Sequence, residues 1–347
     1  MFSEDEKNLR FYEENQSKLE NKNVFIKSEV IDSFNTRSNN IRFFNVNEIV
    51  AGKYWKDRNL IGFYDDDNNI KIKIAIIGFN QLGQKILTGG ILNNIYSLNQ
   101  RIEYHVWGNS TLYKNIHSDL QLMNSDTVIY HSGSWEDDIN LISEMERIIV
   151  TEPDIELISS LKELALHKEI DCYDPDRKIL NICSDIYTFG QYKEILTEEN
   201  VKTDNLYALA KELNDKYKSL YGGVEWNELD SFTKGSNIAA AAYHSIRLLI
   251  MKKNIAESMD AETEETEPVF SIESINDEMA EMEHIRWCRY HYLNHWKYAQ
   301  IKKKDVENKL HQCLIPFAEL SDIDKKKDKE TIEVLLGLRS DGIKIAE

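Results

Sequence analysis

Long apolar runs are absent from this chain of 347 residues. No stretch reaches the roughly 20 apolar residues that a transmembrane helix needs. The polar residues that follow Met1 and Phe2 do not form the apolar core of a signal peptide. We therefore expect a soluble, cytoplasmic protein without direct membrane insertion. A membrane channel that it regulates would have to be another chain.

The sequence also contains few cysteines and fewer basic than acidic residues. The four cysteines, Cys172, Cys183, Cys288 and Cys313, show no Cys-x-x-Cys spacing and lie in apolar segments, which is typical of reduced thiols in a cytosolic protein. The formal net charge is -18. Because such a field repels phosphate backbones, nucleic acid is not an expected partner.

Catalytic and metal-binding motifs are missing as well. No Walker lysine follows the glycine turn at Gly78, and the Ser-Gly-Ser at 132–134 lacks the Gly-x-Ser-x-Gly context of a hydrolase. His291 and His295 stand one helical turn apart, but no carboxylate or cysteine is placed to complete a zinc shell. The sequence predicts neither a catalytic residue nor a metal site.

Strands and helices alternate in the first part of the chain. The apolar segment 70–77 ends in a Gly-Phe-Asn-Gln-Leu-Gly turn and leads into an expected helix at 84–96, followed by a second strand at 102–107. Further short apolar runs lie at 127–130, 147–150 and 179–183. This alternation predicts an α/β fold with a Rossmann-like doubly wound parallel sheet over residues 23–200, after a polar lead-in at 1–22.

The segment before this turn adds to the expected fold. Short strand-like runs at 24–26 and 41–44 and a helix at 45–55 look like one half of a nucleotide-binding fold without its phosphate loop. With Phe-Asn-Val-Asn-Glu at 44–48 and Ile-Ile-Gly-Phe at 76–79, the domain resembles the TrkA-N or RCK domains of bacterial potassium-transport regulators. The resemblance implies a Rossmann domain that binds a nucleotide and regulates ion transport.

The glycine turn is a candidate cofactor site, because a strand that ends at a helix start aims backbone donors at a pyrophosphate. Gly78, Asn80 and Gly83 are the residues that would bind NAD(H) or another adenine nucleotide. Asn80 replaces the usual middle glycine; it tolerates left-handed backbone angles, but its side chain would crowd a pyrophosphate. The second strand ends at Trp107, where an acidic residue should hold the ribose hydroxyls. A dinucleotide site and a purely structural scaffold both stay open.

A dense pattern of histidine and aromatic residues marks the segment 283–336, within the predicted module half at 275–340. It predicts a helix, a chain reversal at about 296–299 and, after a capping signature at Ser321, a last helix at about 324–338. The fixed order of rare residue types resembles the ryanodine receptor repeat (RyR) domain, at His284, Trp287, Trp296, Tyr298, His311, Cys313, Leu314, Phe317, Leu320 and 330–336. Ala299 departs from the glycine that the family usually has there.

An internal repeat extends this module toward the amino terminus. The pattern aromatic-x-Glu-Leu, four residues, Lys occurs at 226–234 and again at 317–325. We therefore predict an all-α tandem RyR-repeat module with an internal pseudo-twofold repeat. Its first half covers 201–256 and its second half 275–340, and an acidic, Thr-rich linker at 257–274 joins them.

The RyR resemblance implies a recognition module rather than a catalyst. Trp and Tyr rings stack on bases, and His and Arg donate to phosphate or ribose, so the predicted ligand-binding residues are His284, Arg286, Trp287, Arg289, Trp296, Tyr298, His311 and Phe317. We expect a non-catalytic sensor of a small nucleotide-type ligand that alters assembly, such as a homodimer, or a partner in ion transport or nucleotide signalling, including antiviral signalling. An NAD(P)-dependent oxidoreductase and a ligand-free scaffold, in which the aromatics are core, stay open as alternatives.

Overall fold

The computed structural model describes residues 4–29, 41–64, 71–164, 168–179, 185–202, 204–258 and 275–340. The predicted linker lies outside these ranges except for its first two residues, and so does the predicted apolar run at 179–183 except for its first residue. Within the described ranges, every helix is too short or too polar to cross a bilayer.

The amino-terminal region contains two helices and two short strands: α1 (Glu4–Leu19), β1 (Val24–Lys27), β2 (Ile41–Phe44) and α2 (Val46–Asp57). β1 and β2 pair in parallel, with Val24 opposite Ile41, as a two-stranded sheet of their own. The predicted strands and helix are therefore present. The described parts of β1 and β2 bond to each other and not to the main sheet, and their interpretation as one half of a nucleotide-binding fold stays a prediction.

Six parallel strands form the main sheet. They are β3 (Lys71–Ile77), β4 (Arg101–Trp107), β5 (Thr127–His131), β6 (Arg147–Val150), β7 (Glu169–Tyr173) and β8 (Tyr187–Phe189). The spatial order is β5-β4-β3-β6-β7-β8. The chain thus winds outward from β3 in both directions, and the order reverses between β3 and β6, as in a dinucleotide-binding fold. The predicted Rossmann-like parallel sheet is confirmed.

Helices cover the sheet and explain its apolar pattern. The described helices of this domain after β3 are α3 (Gln81–Asn93), α4 (Thr111–Ile116), α5 (Ile139–Ile142), α6 (Ile155–Leu164), α7 (Tyr192–Ile195) and α8 (Glu198–Lys202). β3 is central, with Ile74 opposite Tyr104 on one side and Arg147 on the other. A strand that is covered on both faces needs a nearly continuous apolar run, which is why the sequence pattern identified β3.

The strands β7 and β8 were not predicted, and β7 carries a buried carboxylate. Asp171 accepts hydrogen bonds from the Tyr54 hydroxyl (2.7 Å) and from Arg58 Nη2 (3.0 Å), and its Oδ2 lies 3.5 Å from Arg147 Nε. Burial, together with the Asp171 charge, raises the pKa of Tyr54. A carboxylate can be buried when cations and donors surround it, so this network ties α2 to the far half of the sheet.

A bundle of four long helices follows the sheet: α9 (Asp204–Tyr221), α10 (Ser231–Ser258), α11 (Asp277–Leu293) and α12 (Asp322–Ser340). α9 packs on α10 and α11 on α12, and contacts between α9 and α12 and between α10 and α11 close the bundle. Two short strands, β9 (Lys297–Tyr298) and β10 (Leu310–His311), pair in parallel in the second half. The module is therefore mainly helical but not all-α, which corrects that part of the prediction.

Two local features repeat between the halves of this module. Short 3-10 turns lead into α10 and α12; they are Trp226–Glu228 and Phe317–Glu319. In the first half, Asn214 Nδ2 donates to the carbonyl of Val224 (3.3 Å). In the second, His284 Nε2 lies 2.9 Å from the carbonyl of Ile315. Each carbonyl belongs to the residue two positions before the aromatic residue of the turn, so the internal repeat in the sequence has a counterpart in local geometry.

The helical module and the sheet domain share one apolar core. A single buried cluster contains Ile91 of α3, Tyr243 of α10, Met279 of α11 and Ile332 of α12. The Tyr243 hydroxyl also donates to the carbonyl of Ile95 at 2.6 Å. α10 and α11 therefore lie directly against α3, and the two parts of the chain are joined by packing as well as by sequence.

Candidate functional site

The glycine turn after β3 is built from close backbone contacts. Gly78 has φ +87, and a Cβ there would lie 2.8 Å from Thr151 Oγ1. A Cβ on Gly83 would lie 2.4 Å from the carbonyl oxygen of Gly78. The first glycine therefore allows the left-handed turn, and the second lets α3 pack directly on it, the roles that glycines take in a dinucleotide-binding turn.

Asn80 was predicted to bind a cofactor, with a left-handed backbone allowed, but the structure gives it another role. Its backbone is extended (φ -70, ψ -169), not left-handed, and its side-chain oxygen accepts a hydrogen bond from the Gly83 amide at 3.0 Å. Asn80 is thus the N-cap of α3. The cap explains why α3 begins at Gln81 and not at residue 84, and it engages one of the amides that a pyrophosphate would otherwise approach.

Aromatic side chains fill the neighbouring end of the crevice. Phe79 is only 3% exposed, and its ring lies 5.2 Å from that of Tyr113 and 6.2 Å from that of Tyr130. At the end of β4, Trp107 is buried; its Nε1 donates to Asp138 (3.0 Å), and its ring stacks on His131 at 4.1 Å. The position where a ribose-binding carboxylate was sought is therefore part of a packed aromatic layer.

Arg289 was predicted to contact a ligand, and the structure places it elsewhere. Its side chain is 0% exposed and points from α11 into the sheet domain. It donates to the carbonyls of Ile91 (2.7 Å) and Leu122 (2.8 Å), to Asn124 Oδ1 (2.8 Å) and to Asp126 Oδ2 (2.7 Å). Because α11 packs on α3, this face of the helix is interior, and Arg289 joins the two parts of the chain.

Arg286 is also interior. Its guanidinium donates to Glu283 (Nη2 to Oε1, 2.8 Å), and Glu283 accepts a second bond from Arg247 (2.5 Å). All three side chains are about 2% exposed. Two guanidinium groups therefore share one carboxylate inside the bundle, and neither reaches the surface where a ligand would bind.

A cluster of rings surrounds Trp287. The Trp287 ring centroid lies 3.8 Å from that of His291, 4.9 Å from that of His311 and 5.7 Å from that of His284. Trp296, 3% exposed, is part of the core under this cluster, where Phe232 of α10 stacks on it at 5.0 Å. The structure thus brings His284, Trp287, Trp296 and His311 together as predicted from the sequence pattern.

Three of the predicted ligand-binding residues reach the surface of the module. Trp287, His311 and Phe317 are half-buried, and we call them the aromatic face. His284 links its two ends, since its ring lies 5.7 Å from Trp287 and 5.9 Å from Phe317. Tyr298, on β9 beside β10, is 50% exposed.

Lysines flank the aromatic face. Burial and the nearby Lys304 and Lys327 lower the pKa of His311 to about 4, so its ring is neutral at pH 7. His311 Nδ1 accepts from the Cys313 amide (3.0 Å), which leaves the ring proton on Nε2. Lys325 Nζ lies 5.5 Å from the centre of the Phe317 ring. The face therefore combines flat apolar rings, a neutral imidazole donor and cations.

His284 holds the cluster in place as a buried cation. Its Nε2 lies 2.9 Å from the carbonyl of Ile315 and its Nδ1 3.2 Å from Asp328 Oδ2. Both neighbours are acceptors, so both ring nitrogens carry protons. Burial opposes this charge, but the bonds to Asp328 and Cys288 outweigh it and raise the pKa of His284 to about 11.

Stability should therefore depend on pH through His284. The pKa of His284 is higher in the folded state than the unfolded value of roughly 6.5. Protonated His284 therefore stabilises the fold fully below about pH 6.5, and this contribution is lost as the pH rises toward about 11. We expect wild type to exceed His284→Gln by about 2–3 kcal/mol in unfolding free energy at pH 6, with the difference shrinking from pH 7 to 10. Urea unfolding across this range measures it.

The control is His295→Gln. His295 is an exposed residue of the same module, and partial burial of its ring, with the charge of Lys309, lowers its pKa. Its charge does not change between pH 7 and 10, so the difference from wild type should stay flat. A flat profile for His284→Gln as well would contradict the charged state of His284.

The sequence analysis did not assign two members of the ring cluster, His291 and Phe232, to the predicted site. His291 follows Trp287 by four residues on α11, so helical spacing carried a signal for it. Phe232 comes from the start of α10 and packs against His291 (4.9 Å) and Trp296. Nothing in the sequence pairs it with these rings, because the contact depends on how α10 crosses α11.

Comparison with known proteins identifies part of this module. Residues 262–344 match the family model of the RyR domain, so the carboxyl-terminal part of the chain is similar to RyR domains. The match covers the second half of the helical module and does not extend to the first half or the sheet. No curated protein and no solved structure matches the chain.

Proposed function

We propose that the chain is a non-catalytic sensor whose RyR domain binds a small nucleotide-type ligand at the aromatic face. The observation that carries the proposal is the half-buried Trp287 ring, fixed between His284, His291 and His311. Lys304 and Lys327 lie near enough to act on the neighbouring His311, and Lys327 also pairs with Asp324 (2.8 Å). A ring that is held rigidly in this way offers a flat surface at little cost in side-chain entropy.

The chemistry of this surface suits a nucleotide. Stacking of a base on an aromatic side chain contributes about 1–3 kcal/mol, and the ammonium groups of the lysines attract a phosphate. The whole chain has a net charge of -18, which would repel such a ligand elsewhere. The lysines beside these half-buried rings are therefore the groups of this surface that would attract the phosphate of such a ligand.

Coupling to the sheet domain supports a sensor rather than an isolated binding module. α11 carries Trp287 toward the aromatic face and, half a turn further on, Arg289 into the sheet domain. A ligand bound at the aromatic face would contact the same helix, α11, that packs against α3. In this proposal, binding changes the assembly of the chain, for example as a homodimer, or its contact with a partner.

The sheet domain serves as the platform in this proposal. The TrkA-N or RCK resemblance at 44–48 and 76–79 suggests a setting in ion-transport regulation or nucleotide signalling, including antiviral signalling, with any membrane channel on another chain. The Asn80 cap and the packing of Phe79 favour a structural crevice over one that binds NAD(H), and they argue against use as an oxidoreductase.

The test is ligand binding to wild type, Trp287→Ala and Lys304→Met. Calorimetry and thermal shift with AMP, ATP, ADP-ribose, NAD and cyclic nucleotides should find at least one that stabilises wild type. Loss of stacking should weaken that ligand by roughly 5- to 100-fold in Trp287→Ala, and Lys304→Met, which changes an exposed side chain, should weaken it without loss of fold.

The matched control is Tyr192→Ala, which removes a ring that is 46% exposed on α7. Its affinity should equal that of wild type. Silence across the nucleotide panel, or wild-type affinity in both Trp287→Ala and Lys304→Met, would overturn the proposal.

A further inference from the structure

Two histidine rings meet where the sheet domain touches the helical module. His117 follows α4 and His295 follows the end of α11, and their ring centroids lie 5.0 Å apart, with the planes inclined by 27°. We call this pair the histidine contact. A cleft of about 240 Å³ lies beside it, and its lining residues are Ile116, His117, Asp119, Tyr292, His295 and Lys297. None of them belongs to the aromatic face, so the contact is separate from the site proposed above.

The backbone at His295 has a conformation that glycine usually provides. Its φ is +67. Its amide donates to the carbonyl of Tyr292 (3.0 Å), and the Trp296 amide donates to the carbonyl of His291 (3.0 Å), which are the two bonds of a Schellman motif at a helix end. Glycine is common at this position because it has no Cβ. The end of α11 therefore does not need a histidine here, and the contribution of the side chain lies in its contact with His117.

Both imidazoles are neutral at pH 7 in this contact. Burial, together with His295, lowers the pKa of His117 to about 4. Burial and the charge of Lys309 lower the pKa of His295 more than its hydrogen bond to the carbonyl of Ile116 raises it. Within the part of the chain that the structure describes, His117 Nδ1 is buried without a hydrogen-bond partner. A proton on that nitrogen would have no acceptor while the contact is closed.

The charged groups around the contact do not reverse this preference. Asp119 lines the cleft, but its carboxylate is bonded to Lys297 (2.7 Å), and Lys309 repels a further cation. The carboxyl ends of α4 and α11 favour a positive charge, yet the pKa of each histidine is lowered. Burial raises the pKa of Tyr113 and Tyr292, the tyrosines at the contact, so they stay uncharged. A proton on either imidazole is therefore disfavoured while the rings are in contact.

We propose that the histidine contact is an acid-sensitive joint between the sheet domain and the helical module. It is closed while both rings are neutral. A proton on either ring favours an open state, in which the end of α11 separates from α4 and the imidazoles reach water. The bonds of Arg289 keep α11 on the sheet domain in both states, so the change is confined to the helix end. The inference goes beyond the proposed function, because it gives the coupling between the two parts a dependence on pH that needs no ligand.

The direction of the pH dependence follows from the two states of His117. In the open state its pKa is the ordinary value of roughly 6.5, and in the closed state it is about 4. The closed state is therefore favoured fully above about pH 6.5 and loses this advantage as the pH falls toward 4. Between pH 7 and pH 5, the ratio of open to closed molecules should rise on the order of 20-fold.

Hydrogen exchange of the full-length chain at pH 7 and pH 5, corrected for intrinsic exchange rates and read by mass spectrometry, tests the inference. The amides of His117 and Trp296 bond to backbone carbonyls in the closed contact. When packing at the helix ends is lost, the ends fray and these amides exchange. Corrected exchange of their peptides should rise roughly 20-fold at pH 5 in wild type, while peptides that contain Ile91, which bonds to Arg289, should not change.

Two variants identify the cause. His295→Gly keeps the turn but removes its ring, so exchange at both helix ends should be raised already at pH 7 and change with pH by less than about twofold. His117→Phe keeps a flat ring that takes up no proton, so the rise at pH 5 should be several times smaller than in wild type. His311→Phe is the matched control, because it removes another imidazole of pKa about 4 that lies on the aromatic face, and it should show the wild-type rise.

No nucleotide is present in these measurements, so failure of the aromatic face as a ligand site leaves their result unchanged. A rise of less than about twofold in wild type, or an equal rise in wild type and His117→Phe, would overturn the inference.

Discussion

Replacing Arg289 by methionine is expected to lower the free energy of unfolding by about 3–5 kcal/mol. Methionine fills much of the volume but removes every donor, so Asp126 loses its charged partner while it stays buried. The carbonyls of Ile91 and Leu122 also lose hydrogen bonds that no water can easily replace. A buried group that is left unpaired costs more than an exposed ion pair is worth.

Equilibrium urea unfolding measures this loss. The control is Arg10→Met, which breaks an exposed ion pair with Glu14 on α1 and should change the unfolding free energy by less than about 1 kcal/mol. A double-mutant cycle with Asp126→Asn isolates the coupling between the two charges. An Arg289→Met variant within 1 kcal/mol of wild type would show that the joint between α11 and the sheet contributes little to stability.

The second large effect is expected for Glu283→Gln, again about 3–5 kcal/mol. The amide keeps the shape of the side chain but removes the negative charge that Arg247 and Arg286 share. Both guanidinium groups are about 2% exposed, so they cannot turn to solvent. The bundle would then enclose two cations that have lost the carboxylate bonded to both of them.

A second substitution tests the reason for this loss. If uncompensated charge is the cause, Glu283→Gln combined with Arg286→Met should be more stable than Glu283→Gln alone, because one buried cation is gone. Glu278→Gln is the control: it lies exposed in the first turn of α11 and should cost only a few tenths of a kcal/mol through the helix dipole. If thermal unfolding shows the same loss of stability for Glu283→Gln as for Glu278→Gln, uncompensated buried charge is not the cause.

The parts of the fold that depend on local pattern were predictable. The run at 147–150 coincides with β6 (Arg147–Val150), and the run at 70–77 contains β3, since strands that are covered on both faces are mostly apolar. β7 escaped prediction because its buried Asp171 breaks the pattern. The approach of Arg58, Arg147 and the Tyr54 hydroxyl makes that carboxylate acceptable, and this approach is a property of the tertiary structure.

Some residues of the candidate site were predictable from local pattern, and others were not. The spacing from His284 to Trp287 places both rings on one side of α11, and the structure brings them into contact. Arg286 and Arg289 were assigned to the ligand because arginine donates to phosphate or ribose, but a sequence does not say which faces of a helix are covered. The partner of Arg289 is Asp126, at the edge of the sheet, and no pattern within α11 indicates it.

The Arg289–Asp126 pair also orders events during synthesis. The two residues are 163 positions apart, so at roughly 5–20 residues per second the ribosome makes the carboxylate on the order of ten seconds before its partner. Until then, the nascent sheet domain holds Asp126 without a counter-charge and leaves the apolar side of α3 uncovered. Docking of α11 therefore completes the core late, and chaperones that recognise uncovered apolar surface have their opportunity in that interval.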